Sequence, residues 1–300
     1  MAAPATQLSV NAPAIQWYPG HIAKAEKALS EALAKVDLVI EVRDARIPQA
    51  TGHPRLQRWI SGKQHLLVLN RRDMVPVAAR DAWDQWFRSQ GQPVWWCDAK
   101  AGTGVKQLQQ AAIRAGDALN ERRRGRGMKP RPVRALMLGF PNVGKSALIN
   151  RLVRQKVVES ARRAGVTRSL RWVRLGQDLD LLDAPGVLPP RLDNQQAALQ
   201  LALCDDIGQA AYDNEAAALA FIQLLELLRA HGAAGVPERL LEQRYGIPLG
   251  ALPAGGPDVE GWLAAAAERH TSGDSLRMAT KLLDDFRCSR LGAIALELPG

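Results

Sequence analysis

Cysteine is scarce in this sequence. Its three cysteines, Cys97, Cys204 and Cys288, lie far apart among 300 residues. This spacing fits neither a disulfide framework nor a zinc site, because both need paired or clustered cysteines. We therefore expect reduced structural thiols and a cytosol-like compartment.

Long apolar runs and targeting signals are also lacking. No run approaches the roughly 18 apolar residues that a membrane helix needs. The first residues, Met1–Pro13, contain no basic stretch followed by an apolar core, so they do not resemble a secretory signal. They also contain no arginine, which argues against a transit peptide. We expect residues 1–14 to form a disordered tail and the protein to be cytoplasmic, with no membrane partner.

Acidic residues are comparatively few in the first two-thirds of the chain. Residues 1–194 contain 32 Lys and Arg against 16 Asp and Glu, whereas residues 195–300 contain 8 against 14. The resulting charges of +16 and −6 add up to the net +10 of the chain. A basic surface of this size attracts polyanions, of which nucleic acid is the commonest.

Short apolar runs alternate with helical patterns up to about residue 190. Such alternation predicts an α/β fold with a mostly parallel sheet. Only Gly176–Asp178 separates the last two runs, so these strands are expected to form an antiparallel hairpin. The predicted strands are Val36–Val42, His65–Asn70, Pro93–Cys97, Val133–Gly139, Leu170–Leu175 and Leu179–Asp183, and the predicted helices are His21–Lys35, Val77–Ser89, Val105–Asn120 and Lys145–Arg154.

Two changes in composition suggest boundaries. Residues 121–133 combine arginines with glycine and proline, which predicts an exposed linker that is either merely solvated or in contact with a polyanion. Alanine- and leucine-rich helical patterns follow Pro190, with a Pro/Gly-rich connector near Ala251–Pro257. We predict an α/β domain over residues 15–192 and a small all-α domain over residues 195–300.

A nucleotide-binding pattern occupies Gly139–Ser146, between a predicted strand and a predicted helix. It fits the P-loop, in which backbone N–H groups and a helix N-terminus surround phosphates. Lys145 is expected to reach the β- and γ-phosphates, and Ser146 to ligate Mg²⁺. Further contacts to GTP are predicted for Asn142, Val143, Gly144 and Ala147.

Two earlier strand ends carry residues suited to reading guanine. The first, Asn70-Arg71-Arg72-Asp73, resembles the Asn-Lys-x-Asp motif, whose aspartate accepts hydrogen bonds from groups that adenine does not offer. The guanidinium of Arg71 can cover the base plane as the usual lysine stem does. The alternative is an ordinary charged loop. The second strand end resembles a Ser-Ala-Lys element and comprises Asp98, Ala99 and Lys100 after Cys97.

Two elements after the P-loop complete a GTPase set. Asp183-Ala-Pro-Gly186 matches the Asp-x-x-Gly element, with Asp183 holding Mg²⁺ and the Gly186 N–H facing the γ-phosphate. Between it and the P-loop, Thr167 is suited to close over Mg²⁺, although an unrelated exposed threonine is the alternative. The guanine motifs therefore precede the phosphate motifs, which predicts a circularly permuted P-loop GTPase fold. The linker would join the original termini.

This order, together with Trp17–Ala25 and Asp44-Ala-Arg-Ile-Pro48, resembles the ribosome biogenesis GTPase A family, also called RbgA or YlqF. The resemblance implies a cytoplasmic GTPase that assists maturation of the large ribosomal subunit and is activated by it. The resemblance also implies contact with rRNA, and a C-terminal helical domain that binds RNA. We expect the protein to be monomeric off the ribosome. Two positions depart from the family pattern: Arg71 stands in place of lysine, and His53 where asparagine is frequent.

The residue that orients the attacking water is not the usual glutamine, since Val187 follows Gly186. Intrinsic hydrolysis is therefore expected to be slow. The resemblance points to His21 as the catalytic group, against the alternative of an exposed histidine at a helix start. Asn142 matches the asparagine that ligates K⁺ in potassium-activated GTPases, or else merely stabilises its loop.

Two other functions compete with a GTPase switch. One is a metabolic P-loop kinase or ATPase, but no acceptor-substrate motif is present and Asp73 favours guanine. The other is a nucleic-acid-binding scaffold that retains nucleotide and scarcely hydrolyses it, which Val187 leaves open.

Overall fold

The computed structural model describes residue 15 and residues 29–60, 62–153, 170–184, 186, 194–253 and 255–300. Contacts divide the chain into two compact units. One unit, here called the helical unit, comprises Met1–Trp17, Asp73–Trp86 and Leu192–Gly300. The other, the sheet unit, comprises Tyr18–Arg72 and Phe87–Arg191.

The sheet unit is built on six strands in the order β3-β2-β1-β4-β6-β5. Neighbouring strands are parallel except β5 and β6, so the predicted antiparallel hairpin is confirmed. The central strands are nearly continuous apolar runs, as expected where both faces of a parallel sheet are covered. The strands are β1 Leu38–Asp44, β2 Gln64–Asn70, β3 Val94–Cys97, β4 Val133–Gly139, β5 Arg171–Leu175 and β6 Leu179–Asp183.

Helices follow most strands, as the alternating pattern predicts. They are α1 Leu56–Trp59, α2 Val77–Ser89, α3 Val105–Arg114, α4 Asp117–Gly125 and α5 Lys145–Val153, with a further helix at residues 29–33. The helix at 29–33 and α1 bury Leu33, Leu56 and Ile60 in a cluster with Val39, Leu136, Leu138 and Leu182 of the sheet. Each such side chain contributes about 1.5–3 kcal/mol through burial.

The strand bounds lie within two residues of the prediction, but α1 has no counterpart in it and one predicted helix differs. The predicted helix Val105–Asn120 is two helices, because the chain turns at Gly116, where a Cβ would lie 1.8 Å from Val133 Cγ2. The second helix, α4, continues to Gly125 and so occupies the start of the predicted linker. Asp117 in its first turn and the arginines in its last turn match the helix dipole. The segment is nevertheless exposed, as expected.

The helical unit contains five α-helices after residue 194: α6 Gln195–Leu203, α7 Asn214–Arg229, α8 Leu240–Tyr245, α9 Val259–Thr271 and α10 Ser275–Arg287. Four begin with a side chain that accepts a hydrogen bond from the first turn, and these caps are Asn194, Asp213, Asp258 and Asp274. Such a cap contributes about 1 kcal/mol. In the predicted Pro/Gly connector, Ala251 and Pro257 pair in an isolated antiparallel β-bridge.

The helical unit also takes in an earlier piece of the chain. The Ile294 N–H donates to Met74 O at 3.0 Å, and Trp83 Nε1 donates to Glu297 O at 3.1 Å. Residue 15 belongs here too, since the Ile15 N–H donates to Gln195 Oε1. The predicted boundaries at residues 15, 192 and 195 come from composition and remain predictions. Among the described helices, none is long and apolar enough to cross a membrane.

Candidate nucleotide site

The predicted nucleotide motifs lie at the carboxyl ends of four parallel strands. Asn70 ends β2, Cys97 ends β3, Gly139 ends β4 and Asp183 ends β6. Because these strands run in the same direction, their following loops emerge at one edge of the sheet. Ligands of open α/β sheets bind at this edge.

Asn70 joins three of these loops. Its side chain is buried; Nδ2 donates to Val143 O of the P-loop at 2.8 Å, and Oδ1 accepts from the Ala99 N–H at 3.1 Å. The approach is close enough that a Cβ on Gly144 would lie 2.2 Å from Asn70 Nδ2. The loop after β2, the loop after β3 and the P-loop are therefore held together by one amide.

The P-loop requires glycine at position 139, where the chain leaves β4. A Cβ on Gly139 would lie 2.2 Å from Val42 O of the neighbouring strand. Asn142 has a left-handed backbone (φ 57°), which asparagine tolerates better than most residues. Lys145 is buried, and its Nζ donates to Phe140 O at 2.6 Å, which keeps the ammonium over the loop. Gly186 is also close, since a Cβ there would lie 2.6 Å from Pro141 N.

Asp183 and Ser146 form a site that fits a hard cation. Ser146 Oγ donates to Asp183 Oδ2 at 3.4 Å, and Asp183 Oδ1 is buried without a hydrogen-bond donor. Burial raises the pKa of the Asp183 carboxyl above its usual value, although Lys145 and Ser146 act in the opposite direction. A buried carboxylate oxygen with no donor beside a P-loop hydroxyl is the donor set that Mg²⁺ prefers.

Asp98 shapes the loop after β3. Its Oδ1 accepts from the Lys100 and Ala101 N–H groups at 2.7 and 2.9 Å. This turn presents the Ala99 N–H to Asn70, and Arg151 of α5 donates to Ala101 O. The Asp98 carboxylate thus supports its own loop, and its direct contact with a nucleotide remains a prediction.

Asp44 ends β1 between β2 and β4 and belongs to none of the nucleotide motifs. Its carboxylate is fully buried and pairs with Arg46 through Nε at 3.0 Å and Nη2 at 2.7 Å. Arg71 Nε lies 3.1 Å from the same carboxylate, and Arg71 Nη2 donates to Asn142 O at 2.5 Å. Asp44 therefore holds the arginine that replaces lysine against the P-loop main chain.

The electrostatics of Asp44 explain why both arginines are needed. Burial alone would raise the pKa of its carboxyl, but the charges of Arg46 and Arg71 outweigh burial and lower it. A buried charge is tolerated only when it is paired and hydrogen-bonded. The signal in the sequence was a charged pair, Asp44 and Arg46, directly after an apolar strand, although no sequence pattern showed that Arg71 joins it.

His53, the other departure from the family pattern, is a core residue. It is buried, its ring lies 4.3 Å from that of Trp59, and Nδ1 accepts from the Arg55 N–H at 3.2 Å. Phe140 of the P-loop lies 6.3 Å from the same ring. Three residues of the mechanistic hypothesis, His21, Thr167 and Val187, lie outside the described residues.

We expect Asp44 and Arg71 to affect nucleotide affinity as one unit. Asp44→Asn and Arg71→Ala should each weaken GDP binding by on the order of tenfold, because each breaks a charge-assisted contact to the P-loop. The double variant should be little weaker than either single one. Titrations with a fluorescent GDP analogue measure all three.

A matched control lies at the other end of β1. Asp37 pairs with Arg131 at 2.7 Å, so Asp37→Asn removes a comparable ion pair of the sheet unit away from the loops. It should leave GDP affinity unchanged. Strictly additive losses for Asp44 and Arg71 would show that the two residues act independently.

Comparison with known proteins identifies the family and the fold. The profile of a family described as "50S ribosome-binding GTPase" matches residues 134–228, from β4 into α7. Ribosome biogenesis GTPase A of Bacillus licheniformis is 34% identical over 250 residues, which cover 81% of this chain and 88% of the relative. The same-named protein of Priestia megaterium is 36% identical over 234 residues, with 78% of each chain covered.

Solved structures show the same fold. GNP-bound YlqF from T. maritima superposes with a TM-score of 0.54 at 21% identity, covering 92% of this chain and 98% of that one. A GDP-bound YlqF gives 0.58 at 22% identity, covering 90% and 98%. The α/β fold with P-loop and permuted motif order is thereby confirmed. The chain belongs to the ribosome biogenesis GTPase A family and is a GTP-hydrolysing enzyme.

Proposed function

We propose that this GTPase is a switch that assists late assembly of the large ribosomal subunit and is stimulated by that particle. Relatives named for ribosome biogenesis, and a family description that names the 50S ribosome, support the partner. The observation that carries the switch is the Asn70 amide, since its two hydrogen bonds join the proposed guanine loops to the P-loop.

The guanine half of the proposed site comprises Asn70, Arg71, Arg72, Asp73, Asp98, Ala99 and Lys100. Asp73 lies in the turn after β2 and is exposed. In the proposal its carboxylate accepts from the guanine N1–H and 2-amino groups. The Ala99 N–H faces the guanine carbonyl. Because adenine lacks these donors, ATP would leave both hydrogen bonds unmade and would bind more weakly.

The phosphate half comprises Asn142, Val143, Gly144, Lys145, Ser146, Ala147, Thr167 and Gly186. Lys145 would neutralise the β- and γ-phosphates, and Ser146, Thr167 and Asp183 would hold Mg²⁺. When bound, Mg²⁺ neutralises charge on the β- and γ-phosphate oxygens. His21 orients or deprotonates the attacking water once the ribosomal partner brings it into place.

A potassium ion held by Asn142 is part of the proposal. Its charge would stand where an arginine finger acts in other GTPases, and Val187 leaves the water otherwise unassisted. The left-handed backbone of Asn142 and its carbonyl contact with Arg71 support a fixed position for this residue. We further propose that the protein works in the cytoplasm, contacts rRNA, partly through the helical domain at residues 195–300, and is monomeric off the ribosome.

Asp183→Asn should stabilise the nucleotide-free protein at neutral pH and abolish the effect of Mg²⁺ on GTP affinity. The folded-state pKa of this carboxyl is raised, so its ionised form costs folding free energy above that pKa. Below the ordinary value of 3.8 the group is protonated in both states and the cost vanishes. The gain in thermal stability over the wild type should therefore shrink as the pH falls.

The control for this variant is Asp178→Asn, an exposed carboxylate in the turn between β5 and β6. It should change neither stability nor the Mg²⁺ dependence. A less stable Asp183→Asn protein whose GTP affinity still responds to Mg²⁺ would remove Asp183 from the metal site.

Asp73→Asn should lose GTP affinity and gain affinity for xanthosine triphosphate. The amide donates to the C2 carbonyl of xanthine, whereas its NH₂ group opposes the 2-amino group of guanine. Because Asp73 is exposed, thermal stability should stay near that of the wild type. Unchanged GTP affinity in a direct titration would place guanine recognition elsewhere.

Turnover assays test the function itself. Large ribosomal subunits should raise GTP turnover by on the order of tenfold or more in K⁺. Small subunits should not, and Na⁺ at equal ionic strength should lower the stimulated rate. Turnover that ignores both subunits would favour the alternative of a nucleotide-retaining scaffold. Equal rates in K⁺ and Na⁺ would refute only the potassium site.

A further inference from the structure

The outer edge of the sheet carries a tryptophan that the GTPase site does not use. Strand β5 is an edge strand, and Trp172 on it is 44% exposed. Among the described residues it is the sole aromatic with a large exposed hydrophobic surface. Its register partner on β6 is Leu182, which belongs to the apolar cluster that packs against α1. The indole therefore lies on the same face of the sheet as that cluster, at its solvent-exposed margin.

Two arginines share the face of the sheet that carries this indole. The Arg134 guanidinium lies 5.9 Å from the centre of the Trp172 ring, within the range of a cation–π contact. Arg134 and Arg174 are both in register with Asp180 of β6, so the three side chains and Trp172 share one face of the sheet. Arg174 is 79% exposed. We call Arg134, Trp172 and Arg174 the aromatic edge.

The basic helix α4 is tied to this edge. Arg131 exchanges hydrogen bonds with Asn120 of α4 and pairs with Asp37, which also accepts from the Arg134 N–H. The chain between α4 and β4 is thereby fixed rather than a free tether. Residues 117–134 contain seven basic residues against two acidic ones, namely Arg122, Arg123, Arg124, Arg126, Lys129, Arg131 and Arg134 against Asp117 and Glu121.

We propose that the aromatic edge binds unpaired bases of RNA, with Trp172 stacking on a base and Arg134 and Arg174 neutralising phosphates. The inference rests on the proposed ribosomal partner and names the surface that meets its RNA. Single-stranded nucleic acid needs an aromatic plane beside basic side chains, whereas a duplex keeps its bases stacked inside. Arg171 and Arg174 would suffice to protect an edge strand against pairing, and that role has no need of an exposed indole.

The test measures binding of a fluorescent oligouridylate to the full chain by anisotropy over a range of salt concentrations. Trp172→Ala should weaken binding about five- to a hundredfold without changing the salt slope, because stacking releases no counterions. Trp172→Phe should recover most of the affinity. Arg134→Gln should reduce the slope by about 0.7, the share of one phosphate contact on a single strand.

Two controls distinguish a specific loss of RNA binding from a folding defect and from a general loss of positive charge. Lys106→Gln removes an exposed positive charge on α3 and should have no effect on either quantity. All variants should retain wild-type GDP affinity and basal turnover, since none lies in the nucleotide site. A duplex of oligouridylate with oligoadenylate should compete poorly with the single strand.

Co-sedimentation with large subunits distinguishes failure of this inference from failure of the proposed function. Wild-type protein that does not bind large subunits in any nucleotide state would overturn the proposed function. If it does bind, and Trp172→Ala binds oligouridylate as the wild type does, the aromatic edge is not an RNA site. Loss of subunit binding with intact oligouridylate binding would show that the edge meets a ribosomal protein, which also overturns the inference.

Discussion

The site depends on the contact between the Asn70 side chain and the main chain of two other loops. An amide can donate and accept at once, so one buried residue satisfies Val143 O and the Ala99 N–H together. A substitution that removed either function would leave a buried polar group unpaired, at about 1–3 kcal/mol. This contact also explains why motif order can change. The loops are joined across the sheet edge through space, so a permuted chain rebuilds the same arrangement.

A second constraint is the buried charge of Asp44, at the centre of the sheet edge that carries the site. Asp44 ends the strand between β2 and β4, where solvent does not reach, and its ionised form persists because two guanidiniums face it. A lysine at position 71 would offer one compact charge, whereas the arginine contacts Asp44 and Asn142 O simultaneously. A lysine at this position would make a single contact. Arg71 instead links Asp44 at the end of β1 to the main chain of the P-loop.

Much of this arrangement could be predicted from the sequence, because apolar strands ending in polar motifs constrain both fold and site. Asn70, Gly139 and Asp183 each end a strand at the predicted residue. The role of Asp44 could not be predicted, since it depends on which strands become neighbours. Likewise, the division of the predicted helix 105–120 depends on packing between Gly116 and Val133, residues that are distant in sequence. The grouping of Asp73–Trp86 with the helical unit arises from long-range contacts such as Trp83 with Glu297.

The order of strands places the residues of the aromatic edge on the two neighbours of β6, the strand that ends at Asp183, the proposed metal ligand. Strand β6 lies between β4 and β5, and it ends at Asp183, whose register partner on β5 is Arg171, next to Trp172. A ligand bound to β5 would therefore act directly on β6, the strand that positions Asp183. Its effect would pass through the backbone hydrogen bonds between the two strands and not through a flexible loop. Because linkage is reciprocal, any change in RNA affinity with nucleotide state must equal the change in nucleotide affinity with RNA. The proposed stimulation by a ribosomal particle would then reach Asp183 through β6 and would act alongside the proposed placement of His21.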